Sequence, residues 1–187
     1  YGPGGVHFLR GQGLGANTIA IGLYGLTGYL PGITLPGTNC DVFVSLDVTL
    51  DQDIWAKEHR TYFFWEMGKP PDVVIEIVSN QKGGELDRKR RGYARMRIPY
   101  YVVYDPQHRL GAAGVRAWEL RGDLYQAIEP WFESLGLGLA AWTGKFEDLQ
   151  GPWLRWSRKD GTLLPTSSER AESEKLRAES EKLRAES

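Results

Sequence analysis

The sequence predicts an α/β domain in which helices cover a central β-sheet. Two apolar runs rich in β-branched or aromatic residues, VVIEIV at 73–78 and YYVVY at 100–104, are typical of buried strands. The segment between them, GGELDRKRRGYARMR, has the periodicity of a helix. A strand, helix and strand in this order normally form two parallel strands with the helix on one face of the sheet.

The first apolar run contains one carboxylate, Glu76. Burying an unpaired carboxylate in such a strand costs roughly several kcal/mol unless a cation, a metal ion or hydrogen-bond donors meet it. Glu76 is therefore the first candidate site residue. Asp72 lies in strand register with Glu76 but four residues before it, so we expect Asp72 to have a supporting role or to fix a turn.

The helix is predicted to begin after Gly83-Gly84 and to end near Pro99. At about 100° per residue, Lys89 falls on the same side as Tyr93. This apolar side should face the strand that contains Glu76, although a lysine can also extend from such a stripe to solvent. The opposite side carries three arginines, which are typical of a solvated face and are compatible with weak nucleic-acid binding: Arg88, Arg91 and Arg95.

Asp41 precedes another apolar run, in the segment TNCDVFVSLDV. An acid at the start of one strand, a second acid inside a neighbouring strand and a lysine nearby form the constellation that metal-dependent phosphodiester cleavage requires. The two carboxylates would hold a divalent ion, Mg²⁺ or Mn²⁺, through hard oxygen ligands. The lysine would orient the attacking water or neutralise charge that develops on the phosphate.

From about Asp41 to Trp156 the sequence resembles the Uma-type family of restriction endonucleases, within the PD-(D/E)xK nuclease superfamily. The segments that carry the resemblance occur in the same order: CDVFVS, YFFWEMGKPPDVVIEIVSN, GGELDRKRRGYARMRIPYYVVYDP, GLGLAAW and GPWLRW. The resemblance implies a restriction-endonuclease-like mixed central sheet flanked by helices. It also implies a divalent-metal nuclease site.

Matched position by position, the first metal-binding acid of the family falls on Asp41 and the second on Glu76. The E-x-K pattern of the superfamily would place the lysine two residues after Glu76, where this chain has a valine. In the Uma-type family the lysine lies on the following helix, within a D-x-K-x-x-x-Y pattern. Three residues match that pattern, and the resemblance implies that the first and last support the lysine: Asp87, Lys89 and Tyr93.

Composition limits the remaining function classes. The net charge of −1 argues against a protein that grips nucleic acid by bulk electrostatics, and the three histidines lack the spacing of zinc ligands. The most apolar stretch, 16–35, contains too many glycines for a membrane span. The single cysteine, Cys40, excludes an internal disulfide and suits a cytoplasmic location.

We expect three regions in the chain: a truncated or atypical N-terminal part at 1–40, a restriction-endonuclease-like domain at 41–165 and a charged helical tail at 166–187. Residues 11–40 contain no charge, and the absence of an initial Met, together with a tail repeat that stops without a capping signal, suggests a fragment of a longer protein. The glycines at 11, 13 and 15 lack the context of a phosphate loop. Residues 115–129 should form a β-hairpin around the RGD triplet that closes the sheet.

The tail contains the heptad AESEKLR at 171–177, repeated without change at 178–184. Leu176 and Leu183 are one heptad apart, but the companion seam positions hold Ser173 and Ser180. The pattern predicts a solvated helix or a weak coiled coil through which the chain forms a homo-oligomer.

The predicted function is that of a Mg²⁺- or Mn²⁺-dependent endonuclease acting on DNA, with no membrane partner. A first alternative is a catalytically degenerate nuclease fold that binds nucleic acid or a protein. In a second alternative, Glu76 and Lys89 form a buried ion pair with a structural role only. The alternatives differ in metal response and in the effect of Glu76→Gln on folding.

Overall fold

The computed structural model describes residues 20–22, 26–27, 29–30, 33–34, 40–48, 62–64, 68–78, 85–146 and 149–186. The glycines at 11, 13 and 15 and the histidines at 7 and 59 lie outside these residues. The strands are β1 Ala20–Gly22, β2 Leu26–Thr27, β3 Tyr29–Leu30, β4 Ile33–Thr34, β5 Val42–Ser45, β6 Tyr62–Phe63, β7 Val73–Ile77, β8 Tyr100–Tyr104, β9 Val115–Arg121, β10 Leu124–Ile128, β11 Trp131–Phe132, β12 Leu137–Phe146 and β13 Leu149–Ser157. The helices are α1 Glu85–Arg95 and α2 Ser167–Ala185.

The central sheet is mixed, as predicted. Within the described part of the chain it has six strands in the order β1-β5-β7-β8-β9-β10. The pair β7–β8 is parallel, and the other neighbours are antiparallel. Since α1 connects the parallel pair, the predicted strand, helix, strand unit is confirmed. Pro99 follows the helix and prevents its continuation, and the amide of Ile98 closes the last turn on the carbonyl of Tyr93 at 3.2 Å.

The two faces of the central sheet bury separate apolar clusters. Under α1, Val74, Val103 and Tyr101 pack against Tyr93 and Met96. The opposite face is covered by a second sheet, formed by β11, β12 and β13 in that order. There the side chains of Phe132 and Leu139 pack on Val73, Ile75 and Val102. The α/β fold is thus a helix on one face of the central sheet and a second sheet on the other.

The predicted hairpin consists of β9 and β10, at the edge of the described sheet. Its two-residue loop begins with Gly122, whose φ of 63° lies in the left-handed region that glycine adopts at no steric cost. In the second sheet, two tryptophans make specific contacts. Trp156 contacts Phe132 edge to face, and the indole N–H of Trp153 donates to the carbonyl of Gly144 at 3.0 Å.

The C-terminal charged heptad helix is also confirmed. α2 begins with a capping box in which Thr166 and Glu169 exchange hydrogen bonds between side chain and backbone. Its side chains are exposed from Ala171 to Glu186. Of the helices in the described ranges, none has the length and apolar character to cross a membrane.

Asp105 fixes the turn that follows β8. Its buried carboxylate accepts hydrogen bonds from the amides of Arg109 at 3.0 Å and Leu110 at 2.6 Å. Burial acts to raise the pKa of Asp105, but these two donors and the charges of His108 and Arg116 outweigh it and hold the pKa below the ordinary value. The carboxylate therefore stabilises the fold above the ordinary aspartate pKa, and this contribution is lost as the pH falls through the lowered pKa.

We expect Asp105→Asn to lower the free energy of unfolding by about 1–3 kcal/mol at neutral pH, because the amide cannot accept both backbone bonds. The loss should shrink in acid, where the wild-type carboxyl is also neutral. Urea unfolding at neutral and at acidic pH measures both values. Asp123→Asn, on the exposed hairpin loop, is the matched control and should have little effect. Equal destabilisation at both pH values would contradict the assigned role of the charge.

Candidate active site

Glu76 is a buried carboxylate with one partner from α1 on each oxygen. Its side chain lies in β7 with the residue only 2% exposed. Oε2 accepts a hydrogen bond from Nζ of Lys89 at 2.7 Å, and Oε1 accepts one from the hydroxyl of Tyr93. The predicted orientation of Lys89 toward the strand is therefore correct. This constellation combines a fixed carboxylate with a fixed ammonium group.

The local sequence explains why these three groups meet. In β7, alternation places Glu76 on the same face as Val74, which is the face that α1 covers. In α1, Lys89 and Tyr93 are four residues apart and project from one side of the helix. Tyr93 is fully buried, whereas 20% of the Lys89 side chain is exposed. The pair thus lies where the buried core meets solvent.

Asp41 lies beside Glu76 at the edge of β5. The antiparallel register pairs Val42 with Ile75, so the next positions along the ladder are Asp41 and Glu76. Residues opposite each other in an antiparallel pair project on the same face. Oδ2 of Asp41 also accepts a hydrogen bond from the amide of Ile77 at 2.6 Å. The two predicted acids are consequently neighbours, and Asp41 is tied to the strand that contains Glu76.

The electrostatic balance of the cluster is negative. Burial raises the pKa of Glu76, the bonds from Lys89 and Tyr93 lower it, and the charge of Asp41 raises it further, with a net shift upward. Burial, followed by the charges of Glu76 and Asp41, raises the pKa of the Cys40 thiol to about 12. Burial is the largest of these effects on Glu76, and the bonds from Lys89 and Tyr93 do not offset it.

The structure does not bring Asp72 to the other acids. Its carboxylate accepts hydrogen bonds from Nζ of Lys69 at 2.7 and 2.8 Å and from the amide of Leu46 at 2.7 Å. At about 3.3 Å per residue, the four positions between Asp72 and Glu76 along the strand correspond to roughly 13 Å. Asp72 fixes the turn before β7, the second of the roles expected for it.

The remaining predicted residues lie on the outer part of α1. Asp87 is exposed and accepts a hydrogen bond from Arg90 at 3.0 Å, so its contact in the structure is with an arginine rather than with the lysine it was expected to support. The three arginines predicted for the solvated side are exposed: Arg88, Arg91 and Arg95. The helical periodicity therefore assigned the two faces of α1 correctly.

Sequence reasoning missed two features of the site. The thiol of Cys40 lies within the electrostatic range of both acids, a position that its adjacency to Asp41 could have suggested. The hydrogen bond from the amide of Ile77 to Asp41 depends on strand register, which local sequence does not reveal. Among the residues with described positions, no three or more His, Cys, Asp or Glu side chains form a group able to hold a metal ion.

Comparison with known proteins finds a family model that part of the chain resembles. Residues 24–110, slightly less than half of the sequence, match the model of the Uma2 family, whose description is "Putative restriction endonuclease". The matched segment includes Asp41, Glu76, Lys89 and Tyr93, and it confirms the resemblance predicted from the sequence. Neither the curated proteins nor the solved structures provide a match.

Proposed function

From the match of residues 24–110 to the Uma2 family of restriction endonucleases, we propose that this protein is a divalent-metal-dependent endonuclease that hydrolyses DNA phosphodiester bonds. The observation that carries the proposal is the 2.7 Å contact between Lys89 Nζ and the buried carboxylate of Glu76, with Asp41 at the opposing strand position. Asp41, Glu76 and Lys89 then belong to one cluster, drawn from the residue before β5, from β7 and from α1.

The chemistry of this cluster suits Mg²⁺ or Mn²⁺. Both prefer oxygen ligands, and Mg²⁺ is commonly held by one or two carboxylates, with water and substrate phosphate completing the shell. Each oxygen of Glu76 accepts one hydrogen bond from the described residues, which leaves a further lone pair on each. Among the described residues, Asp41 accepts its hydrogen bond at Oδ2, from the amide of Ile77. When bound, such an ion polarises the phosphate and lowers the pKa of a coordinated water.

Each side chain then has a separate task. Asp41 and Glu76 bind the metal ion. Lys89 provides a fixed positive charge that orients the attacking water or compensates charge on the phosphate. The hydroxyl of Tyr93 holds Glu76 in one orientation, so that little reorganisation is needed during the reaction.

The outer face of α1 is the proposed contact surface for the DNA backbone. Its exposed guanidinium groups belong to Arg88, Arg91 and Arg95. Because the whole chain has a net charge of −1, this contact should be weak and sensitive to salt. Asp87 and Asp72 are assigned supporting roles through Arg90 and through the turn before β7.

The proposed catalytic domain comprises residues 41–165, and 166–187 form a separate tail. Part of 1–40 adds to the same sheet, because β1 pairs with β5. We place the activity in the cytoplasm, since the buried Cys40 is the one cysteine of the chain.

A structural ion pair is the second candidate role, and the short contact within a buried setting favours it. Such pairs contribute little net stability but are costly to break. Under this interpretation Glu76 and Lys89 would need no metal ion and would leave DNA uncut. A nuclease fold that only binds nucleic acid or protein, without cleavage, would likewise show no response to metal ions.

Calorimetric titration with Mg²⁺ and Mn²⁺ tests the proposed metal site. We expect the wild type to bind, and Asp41→Asn and Glu76→Gln each to weaken binding by about tenfold or more, because each removes one charged oxygen ligand. Glu119→Gln, in β9 of the same sheet, is the matched control and should bind like the wild type. Absence of binding by folded wild-type protein would refute the metal site.

A further inference from the structure

The C-terminal helix α2 extends from the domain as an exposed arm. Its start is held firmly: the guanidinium of Arg155 contacts the carboxylate of Glu169 at 2.6 and 3.0 Å, and it lies 4.8 Å from the ring centroid of Trp142. From Ala171 to Glu186 every side chain is exposed. The helical part of this segment, residues 171–185, is about 22 Å long at 1.5 Å per residue. The arm is thus anchored at one end and open to solvent along the rest.

Two large apolar side chains lie on this arm, whose other residues are charged or small. Leu176 is 61% exposed and Leu183 is 67% exposed. They are one heptad apart and therefore on the same side of the helix. With the leucines at position d of the heptad, Ser173 and Ser180 occupy position a. The arm has a narrow seam of alternating serine and leucine.

The charges that flank this seam select the partner and its direction. Position g holds Glu172 and Glu179, and position e holds Arg177 and Arg184. In a parallel pair of identical helices, each g residue faces an e residue of the other helix, so each glutamate meets an arginine. An antiparallel pair would bring e to e and g to g, which opposes like charges. The pattern is complementary to a second copy of itself in the parallel direction.

We propose that α2 is a dimerisation arm that pairs in parallel with α2 of a second copy of this chain. Serine at both a positions and two leucine layers give a small apolar interface, so the dimer is reversible and forms at high chain concentration rather than at nanomolar levels. In the dimer both copies have their α/β domains at the same end of the arm. This inference does not depend on the proposed nuclease activity.

Sedimentation equilibrium of the full chain, from about 10 to about 500 µM at low salt, measures the association. We expect a monomer–dimer equilibrium for the wild type and monomer throughout for the double variant Leu176→Ser, Leu183→Ser. The double variant Ser173→Val, Ser180→Val should tighten the dimer by about tenfold or more, since β-branched residues at position a favour two-stranded coils. A wild type that is monomeric throughout, or a dimer that survives loss of both leucines, would overturn the proposal.

Disulfide cross-linking tests the parallel direction. In a parallel pair, Ser173→Cys places the two new thiols at the same level of the seam, and we expect mild oxidation to link them. Ala178→Cys, at the outward position f, is the matched control with the same Cys40 background and should remain unlinked. Equal cross-linking of both variants, or linkage of the control alone, would refute the parallel seam.

Discussion

Glu76→Gln and Lys89→Ala are each expected to reduce metal-dependent DNA cleavage by about 10²- to 10³-fold. The first change removes a charged metal ligand, and the second removes the cation 2.7 Å from it that compensates phosphate charge. Plasmid nicking at equal protein concentration measures the loss, with circular dichroism as the check on folding. Glu119→Gln and Lys159→Ala are the matched controls. They also remove a carboxylate and an ammonium group, but at positions in β9 and after β13 rather than in the proposed site.

Metal binding separates this role from that of a structural ion pair, because the contact between Lys89 and Glu76 is the same under both interpretations. Because burial raises the pKa of Glu76, its ionised form is disfavoured in the fold, and stability falls as the pH rises from the ordinary glutamate pKa toward the raised one. Glu76→Gln removes that penalty but leaves the ammonium group of Lys89 without its carboxylate, so we expect a loss of stability smaller than the loss of about 3–5 kcal/mol that is typical of breaking a buried ion pair. A purely structural pair predicts such a loss with no binding of Mg²⁺ or Mn²⁺ by the wild type. Full cleavage by both Glu76→Gln and Lys89→Ala would contradict the catalytic roles assigned to these two residues.

Phe132→Ala is expected to lower the free energy of unfolding by about 3–5 kcal/mol. The Phe132 ring is fully buried where the second sheet meets the central one, 4.8 Å from the ring of Tyr100 and 6.4 Å from that of Trp156. Truncation leaves a cavity between the two sheets that rigid strands on both sides cannot fill. Urea unfolding followed by tryptophan fluorescence measures the change.

The control for this change is Leu124→Ala, on β10, where the side chain is 74% exposed. It should alter stability little, because few contacts are lost. If Phe132→Ala were as mild as the control, the second sheet would not depend on this contact.

The unit β7–α1–β8 and the pairing of Glu76 with Lys89 were predictable from the sequence. Two apolar runs fix the strands, and Pro99 limits the helix that connects them. Helical periodicity and the strand alternation then bring Lys89 over Glu76, which needs only local patterns and the usual right-handed crossover.

The second sheet was not predictable in the same way. The contact of Phe132 with Tyr100 joins residues far apart in sequence, and local patterns do not specify such a partner. In contrast, the ion-pair partners of Asp72 and Asp87 lie close to them in sequence. Lys69 and Arg90 are each three residues away, so spacing alone could have suggested both ion pairs. The start of α2 also carried a signal, the Thr166-x-x-Glu169 capping box.

Nicking of supercoiled plasmid by the wild type, in Mg²⁺ or Mn²⁺ and again with EDTA, tests the nuclease assignment most directly. Protein with Glu76→Gln, purified in the same way, controls for contaminating nucleases. We predict nicking that requires the metal ion, stops with EDTA and is lost in the variant. Folded wild-type protein that leaves the plasmid intact in both metals, or nicking that persists equally in the variant, would contradict a nuclease site at Asp41, Glu76 and Lys89.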